Sequence, residues 1–315
     1  MGRGAKIFFI AFLISAMVFG LVSFSLLSAL SKLSAAFADP DLLSEGAIKN
    51  DDSEISGESF NILIINVDYR PEKYSYDEAK VNSLFGNTSQ KGSGERREIS
   101  MLSAVLLRLD KEREEFTFTP IPASTYVNSG DKKESLSDIY TSLGPSALLQ
   151  RVRMLTGLFI DEYAVVTPSA AEKITDILGG FEYNVISSVS AEGEESVASG
   201  NARLSGKQVR TLLLAEQKVQ SLTREKISAA LLREFFAALT EDGEATARTA
   251  LGSILPLLQT TLDADAVDRN KGLISAYPSF GKKDIELCGS YKNEVFLIDT
   301  AETLDRFSNY RKYYS

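Results

Sequence analysis

Histidine is absent from the 315-residue chain, and cysteine occurs once, at Cys288. The first absence removes His-dependent catalytic triads, His-ligated metals and the usual proton shuttle near neutral pH. The second rules out a disulfide within the chain and leaves Cys288 to be read as a buried structural thiol. Positive charge is also in short supply: 34 Lys and Arg stand against 43 Asp and Glu, a formal net charge of −9. A nucleic-acid footprint needs a basic face, so no nucleic-acid partner is expected. Walker loops, dinucleotide fingerprints, zinc-ligand spacings and nucleophile elbows are missing too. Chemistry in this chain must rest on carboxylates, Arg, Lys, Tyr or a hard cation.

One long uncharged run is present, from Ile7 to Ser31, between Lys6 and Lys32. A helix crossing a bilayer needs about 20 apolar residues, so the run is long enough to span. Arg3 and Lys6 precede it, and Asp39, Asp41 and Glu45 follow. The positive-inside bias then puts residues 1–6 in the cytoplasm and the body outside. A cleaved signal peptide would end near Ala36-Phe37-Ala38. The run exceeds a usual signal core of roughly 7–15 residues, which favours an uncleaved anchor at 7–31 in the cell membrane. Residues 32–58 read as an acidic stalk, 59–240 as the main folded domain, and 241–315 as a helical and strand extension packed on it.

The body is organised around Phe60-Asn61-Ile62-Leu63-Ile64-Ile65-Asn66-Val67, a nearly continuous β-branched run that suits a strand covered on both faces. Met101 to Leu109 and Phe116 to Pro122 predict neighbouring strands, with Thr125-Tyr126-Val127 as an exit into a loop. Helical spacing follows at Leu136, Ile139, Tyr140 and Leu143, and again from Pro145 to Gly157. Ser169 is expected to cap a helix to Leu178, and Thr223 another that runs past Leu239. Ser187 to Asn201 reads as a polar loop, Thr246 to Leu262 as one helix interrupted at Pro256, and Val295 to Ile298 as a last strand. Strands alternating with helices indicate an α/β fold, a mixed central sheet with helices on both faces.

Asp68 and Arg70 lie just beyond the end of the first strand, where open α/β sheets bind ligands. A carboxylate there can hold a hard cation and an Arg can clamp a phosphate, although a solvated surface pair explains the same spacing. Glu95-Arg96-Arg97-Glu98 reads as a mixed-sign solvated loop, and Arg151 and Arg153 as the exposed side of a helix.

Five stretches in order resemble the LytR-CpsA-Psr family of bacterial cell-envelope proteins. They are Asn61 to Arg70, Ile121 to Val127, Leu155-Thr156-Gly157 with Asp161-Glu162-Tyr163, Ile177 to Gly180, and Leu204 to Gln208. The resemblance implies a membrane-tethered phosphotransferase that moves a glycopolymer from a polyprenyl-pyrophosphate carrier to peptidoglycan. It implies Mg2+ bound at Asp68, catalysis by Asp68 and Arg70, and phosphate contacts from Arg70, Arg97, Arg224 and Lys226.

Departures from the family pattern are equally specific. The second motif, Arg-Ser-Asp-Thr, falls on Ser100 to Ser103 or on Arg97 to Ser100, without its Asp. Pro-Arg-Asp becomes Pro122-Ala123-Ser124, and a later Arg-x-Arg becomes Leu214-Ala215-Glu216. Losing one charge-stabilising group commonly costs about 10²–10³ in rate, so several losses predict weakened or absent transfer. The alternative function is a non-catalytic binder of lipid-linked glycan, or a scaffold for a partner transferase.

Overall fold

The computed structural model describes residues 59–68, 100–129, 132–215, 223–292 and 295–311. The expected anchor and stalk lie outside these residues, as do Arg70, Arg96 and Arg97. Among the described residues no helix is long and apolar enough to cross a membrane.

Three long strands form the middle of the main sheet. β1 (Ser59–Asp68) pairs antiparallel with β2 (Ser100–Asp110), and β2 pairs antiparallel with β3 (Glu115–Pro122). The apolar run of β1 faces both ways. Leu63, Ile65 and Val67 enter one core cluster, while Phe60 and Ile62 enter the other. Full burial of such side chains contributes roughly 1.5–3 kcal/mol each, which is why the run folds between two layers. Where Thr125 to Val127 was expected to leave the sheet, the chain instead forms β4 (Thr125–Ser129). β4 turns back on β5 (Lys132–Ser135) and begins a second sheet.

Two helices follow, α1 (Leu136–Leu143) and α2 (Pro145–Thr156). Ser135 and Asp138 form a reciprocal cap on α1, and α2 ends at Gly157 in the left-handed region, φ 68°. β6 (Glu162–Val166) then returns parallel to β1. α3 (Pro168–Ile177) is capped by Thr167 rather than Ser169: the Thr167 hydroxyl accepts from the Ala170 amide, and Pro168 fills the first turn. β7 (Phe181–Val185) and β8 (Gly200–Leu204) make a separate hairpin. The segment between them is not wholly loop, because Val189 and Val197 bridge and bury together.

α4 (Gly206–Leu214) and the long α5 (Arg224–Glu241) come next. The single helix expected over Thr246 to Leu262 is α6 (Glu244–Ile254), a 3-10 turn at Leu255–Leu257, and β9 (Gln259–Thr260). Pro256 sits where the helix breaks, as its ring and missing amide require. α7 (Ala264–Ser275) leads to β10 (Gly281–Asp284), β11 (Gly289–Lys292), β12 (Val295–Ile298) and α8 (Thr300–Arg306).

The main sheet runs β10-β3-β2-β1-β6-β9 and the second β11-β12-β4-β5. With β1/β6 and β3/β10 parallel and the other pairs antiparallel, the main sheet is mixed. One face packs against α1 and α2, through Leu136, Ile139, Leu148 and Val152. The other packs against α3, α5, α6 and α7, through Ile174, Phe236, Leu251 and Leu273. Cys288 is buried and unbridged.

Candidate functional site

The end of the main sheet that carries Asp68 is built by β1, β2 and the first turns of α5. Asp68 pairs in register with Ser100, after a shift at Asn66/Val67 that marks a bulge. Bulges re-aim side chains at strand ends. Two residues inward, Asn66 Nδ2 donates to Ser103 Oγ at 3.0 Å. Ser103 Oγ lies 2.9 Å from Ser228 Oγ, and Ser228 Oγ donates to the Arg224 carbonyl at 2.9 Å. Because the Ser228 proton is spent on that carbonyl, Ser103 must donate to Ser228. This buried chain ties α5 to β1 and β2 and brings Arg224 and Lys226 to the same end of the sheet as Asp68.

What those two cations do there differs from the expectation that they face a phosphate. Arg224 Nη2 donates to the carbonyls of Leu214 and Ala215, at 3.3 and 3.2 Å. Lys226 Nζ forms an ion pair with Glu286 at 2.7 Å. Between them Glu225 is buried, and its carboxylate accepts from the Tyr291 hydroxyl at 2.6 Å. Burial and the Glu225 carboxylate beside it push the Tyr291 pKa well up, so the phenol stays a donor. The first turn of α5 therefore carries two cations engaged within the protein and a buried carboxylate. Anions are favoured at such helix starts only when the groups there are free to meet them.

Positions where the family resemblance places other charges are also occupied by packing groups. In the register that starts at Ser100 the missing Asp falls on Leu102, which is half-buried in β2. Ala123 packs on the core beside α1, and its carbonyl accepts from the Ser137 amide at 3.0 Å. The Ser124 carbonyl accepts from the Phe296 amide at 3.1 Å, which docks β12. Leu214, on the first Arg of the later Arg-x-Arg, is half-buried at the end of α4. Mg2+ is usually held by one or two carboxylates together with substrate phosphates. Asp68 can supply one, but among the described residues no group of three or more Asp, Glu or Cys gathers that could hold a metal ion.

Sequence reading missed Glu225, Glu286, Tyr291 and Ser228 as parts of this end of the sheet. Only Glu225 carried a local signal, an acid between two bases. Arg153, expected on an exposed helix side, is half-buried: its Nη2 donates to the Ile160 carbonyl at 2.5 Å, and it stacks 4.4 Å from the Phe159 ring centre.

A model of the LytR_cpsA_psr family matches residues 37–220. Comparison with curated proteins gives no match. Among solved structures the fold is similar to TagV of B. subtilis, with TM-score 0.63 and 15% identity over 81% of this chain and 96% of that one. It is also similar to a LytR-Csp2A-Psr enzyme from Actinomyces oris, TM-score 0.60 and 15% identity, covering 81% of this chain and 90% of that one. The structure described as TagT bound to LI-WTA gives TM-score 0.58 and 15% identity over 81% of this chain and 92% of that one.

Proposed function

The chain belongs to the LytR-CpsA-Psr family, and on that premise we propose that it is a membrane-anchored extracytoplasmic protein of bacterial cell-wall assembly. It binds glycopolymer carried on polyprenyl pyrophosphate and has weakened or lost the transfer of that polymer to peptidoglycan. TagT, a structure of the same fold, is described as bound to LI-WTA, which supports a polymer ligand for this fold. The observation that carries the loss of chemistry is the first turn of α5. Arg224 is engaged by backbone carbonyls, Lys226 by Glu286, and Glu225 adds a buried negative charge between them.

Transfer from a pyrophosphate needs charge stabilisation of the leaving and moving phosphates. In this chain Asp68 supplies one carboxylate toward a Mg2+ ion, which when bound neutralises phosphate oxygens. Arg70 follows it two residues later in sequence and Arg97 precedes β2. Ala123 and Ser124 supply packing and hydrogen bonds where charges would assist. The protein then serves as a holder of lipid-linked glycan, or as a scaffold for a partner transferase.

The test is Mg2+-dependent turnover of a polyprenyl-pyrophosphate-linked sugar by the full chain in detergent, with Asp68→Ala and Arg70→Ala alongside. Lipid binding without turnover, insensitive to Asp68→Ala, is the expected result. Turnover abolished by both substitutions would overturn the loss of chemistry.

A further inference from the structure

Away from Asp68, a polar cavity of about 580 Å³ opens at the edge of the main sheet beside β10. Arg113 stands on its wall, in the turn that joins β2 to β3, at the far end of β2 from Ser100. Eleven strand residues separate the two ends, a span of roughly 30 Å or more at about 3.4 Å per residue. That wall therefore lies far from Asp68, and the lining reaches back past β10 to Glu286, the partner of Lys226.

Its charges are arranged unevenly. Asp284 and Glu286 line it, but each is paired with a cation of α5 outside the lining, Asp284 with Arg233 and Glu286 with Lys226. Arg113, Lys283 and Arg306 line it from the other sides. Arg113 Nη2 donates to the Asn309 carbonyl at 2.5 Å, and Arg306 Nη1 to the Glu286 carbonyl at 3.0 Å. Neutral carbonyls aim these guanidiniums without cancelling their charge. Lys283 Nζ donates to the Tyr310 hydroxyl at 3.0 Å, and that hydroxyl donates to Glu115 at 3.2 Å. Arg113 and Lys283 share one ring, at 4.9 and 5.7 Å from the centre of Tyr310.

The remaining carboxylate contacts are loose. Asp110, 3.7 Å from Arg113, is already held by Arg108 at 2.8 Å, and Arg306 meets Glu302 at 3.5 Å with both side chains exposed. Glu115 reaches the two cations through the Tyr310 hydroxyl, whereas phosphate, which accepts from several donors at once, can join both directly. The volume lies in the range of small-molecule pockets and accommodates one sugar unit.

We propose that this cavity binds a phosphate-bearing sugar unit, its phosphate held by Arg113, Lys283 and Arg306. The sugar rests on the proposed function, in which a glycopolymer is the ligand; the phosphate site rests on the cavity alone. A polyanionic chain gripped here and at Asp68 would be held along the sheet at two separated points.

Isothermal titration of the full chain in detergent with inorganic phosphate, glucose 1-phosphate and glucose tests it. Both phosphates are expected to bind, glucose 1-phosphate more tightly, glucose not at all, and added salt to weaken both. Lys283→Gln, an exposed change that the fold tolerates, should weaken phosphate roughly tenfold, and Arg113→Gln with Lys283→Gln should abolish it. Asp68→Ala should leave it unchanged. Absence of phosphate binding, or affinity unchanged by Lys283→Gln in protein with unaltered melting, overturns the site. Loss on Asp68→Ala would assign the phosphate to the strand end and also overturns it. If lipid-linked glycan still binds while the small phosphates do not, this inference falls and the proposed function stands.

Discussion

Ser103 directly follows Leu102, the position on which one register of the second motif sets its acid, and its own surroundings explain why an acid does not fit at Ser103. It accepts from Asn66 and donates to Ser228 with no exposed surface. Ser103→Asp would bury a charge and leave Ser228 without its donor, at a cost of several kcal/mol. We expect a melting temperature lowered by several degrees and no gain of Mg2+-dependent turnover; a stable, active variant would refute this account. Ser103→Ala, which strands the Asn66 amide and removes the donor to Ser228 without burying a charge, should cost about 1–3 kcal/mol by chemical denaturation. Asp161 gives a pH signature. Its carboxylate accepts from the Asn61 amide at 2.7 Å, yet burial dominates and raises its pKa above the usual carboxylate value. A carboxyl raised in the folded state binds its proton more tightly there than when unfolded. The contribution of Asp161 to stability is therefore fully present below the ordinary carboxylate range and is lost as pH rises through that range to the raised value. Asp161→Asn keeps an acceptor and loses the charge. Its melting temperature should exceed that of the parent at pH ~7 and the two should converge near pH ~4. At this scale Asp68 was legible because strand and charge adjoin in sequence. The fates of Arg224 and Lys226 were not, since Lys226 meets Glu286 and Glu225 meets Tyr291 across long stretches of chain.

At the scale of elements, the family-like stretches that persist are those that pack. Gly206 opens α4 so close to α3 that a Cβ there would lie 2.2 Å from the Glu172 carbonyl oxygen, and its amide donates to Asp176 at 3.1 Å. Gly180, with φ +82°, would meet the Leu204 carbonyl oxygen at 2.5 Å. Both belong to motifs that carried the resemblance, and both are required by close backbone approach rather than by chemistry. Gly206→Ala should force α3 and α4 apart and destabilise by about 1–3 kcal/mol, while ligand binding per folded molecule stays unchanged. Thermal unfolding beside a binding titration checks this. β1 to β3 were readable because long apolar and β-branched runs have few other uses. β10 and β11, Gly-Lys-Lys-Asp and Gly-Ser-Tyr-Lys, were not. Four mostly polar residues with exposed side chains hold no periodic signal; the edge they join decides their conformation.

For the molecule as a whole, the segment beyond 240 proves integral to both sheets. β10 extends the main sheet beside β3, β12 docks parallel to β4, and Ile285, Leu287, Phe296, Phe307 and Tyr310 complete one core cluster. Deleting residues 281–311 would bare the backbone edge of β3 and open that core cluster. The shortened chain should lose cooperative thermal unfolding and bind hydrophobic dyes, whereas a dispensable appendage would leave the melting curve intact.

The parallel pairing of β3 with β10 also governs when the fold can form. Glu115 cannot acquire its neighbour until Gly281 has been made, and Thr125 waits longer still for Phe296. Non-local pairings of this kind close slowly, and the intermediates leave a bare strand edge beside Phe116 and Phe118. During synthesis the early strands therefore spend their first moments incomplete. That interval, rather than the finished state, is the time when aggregation competes.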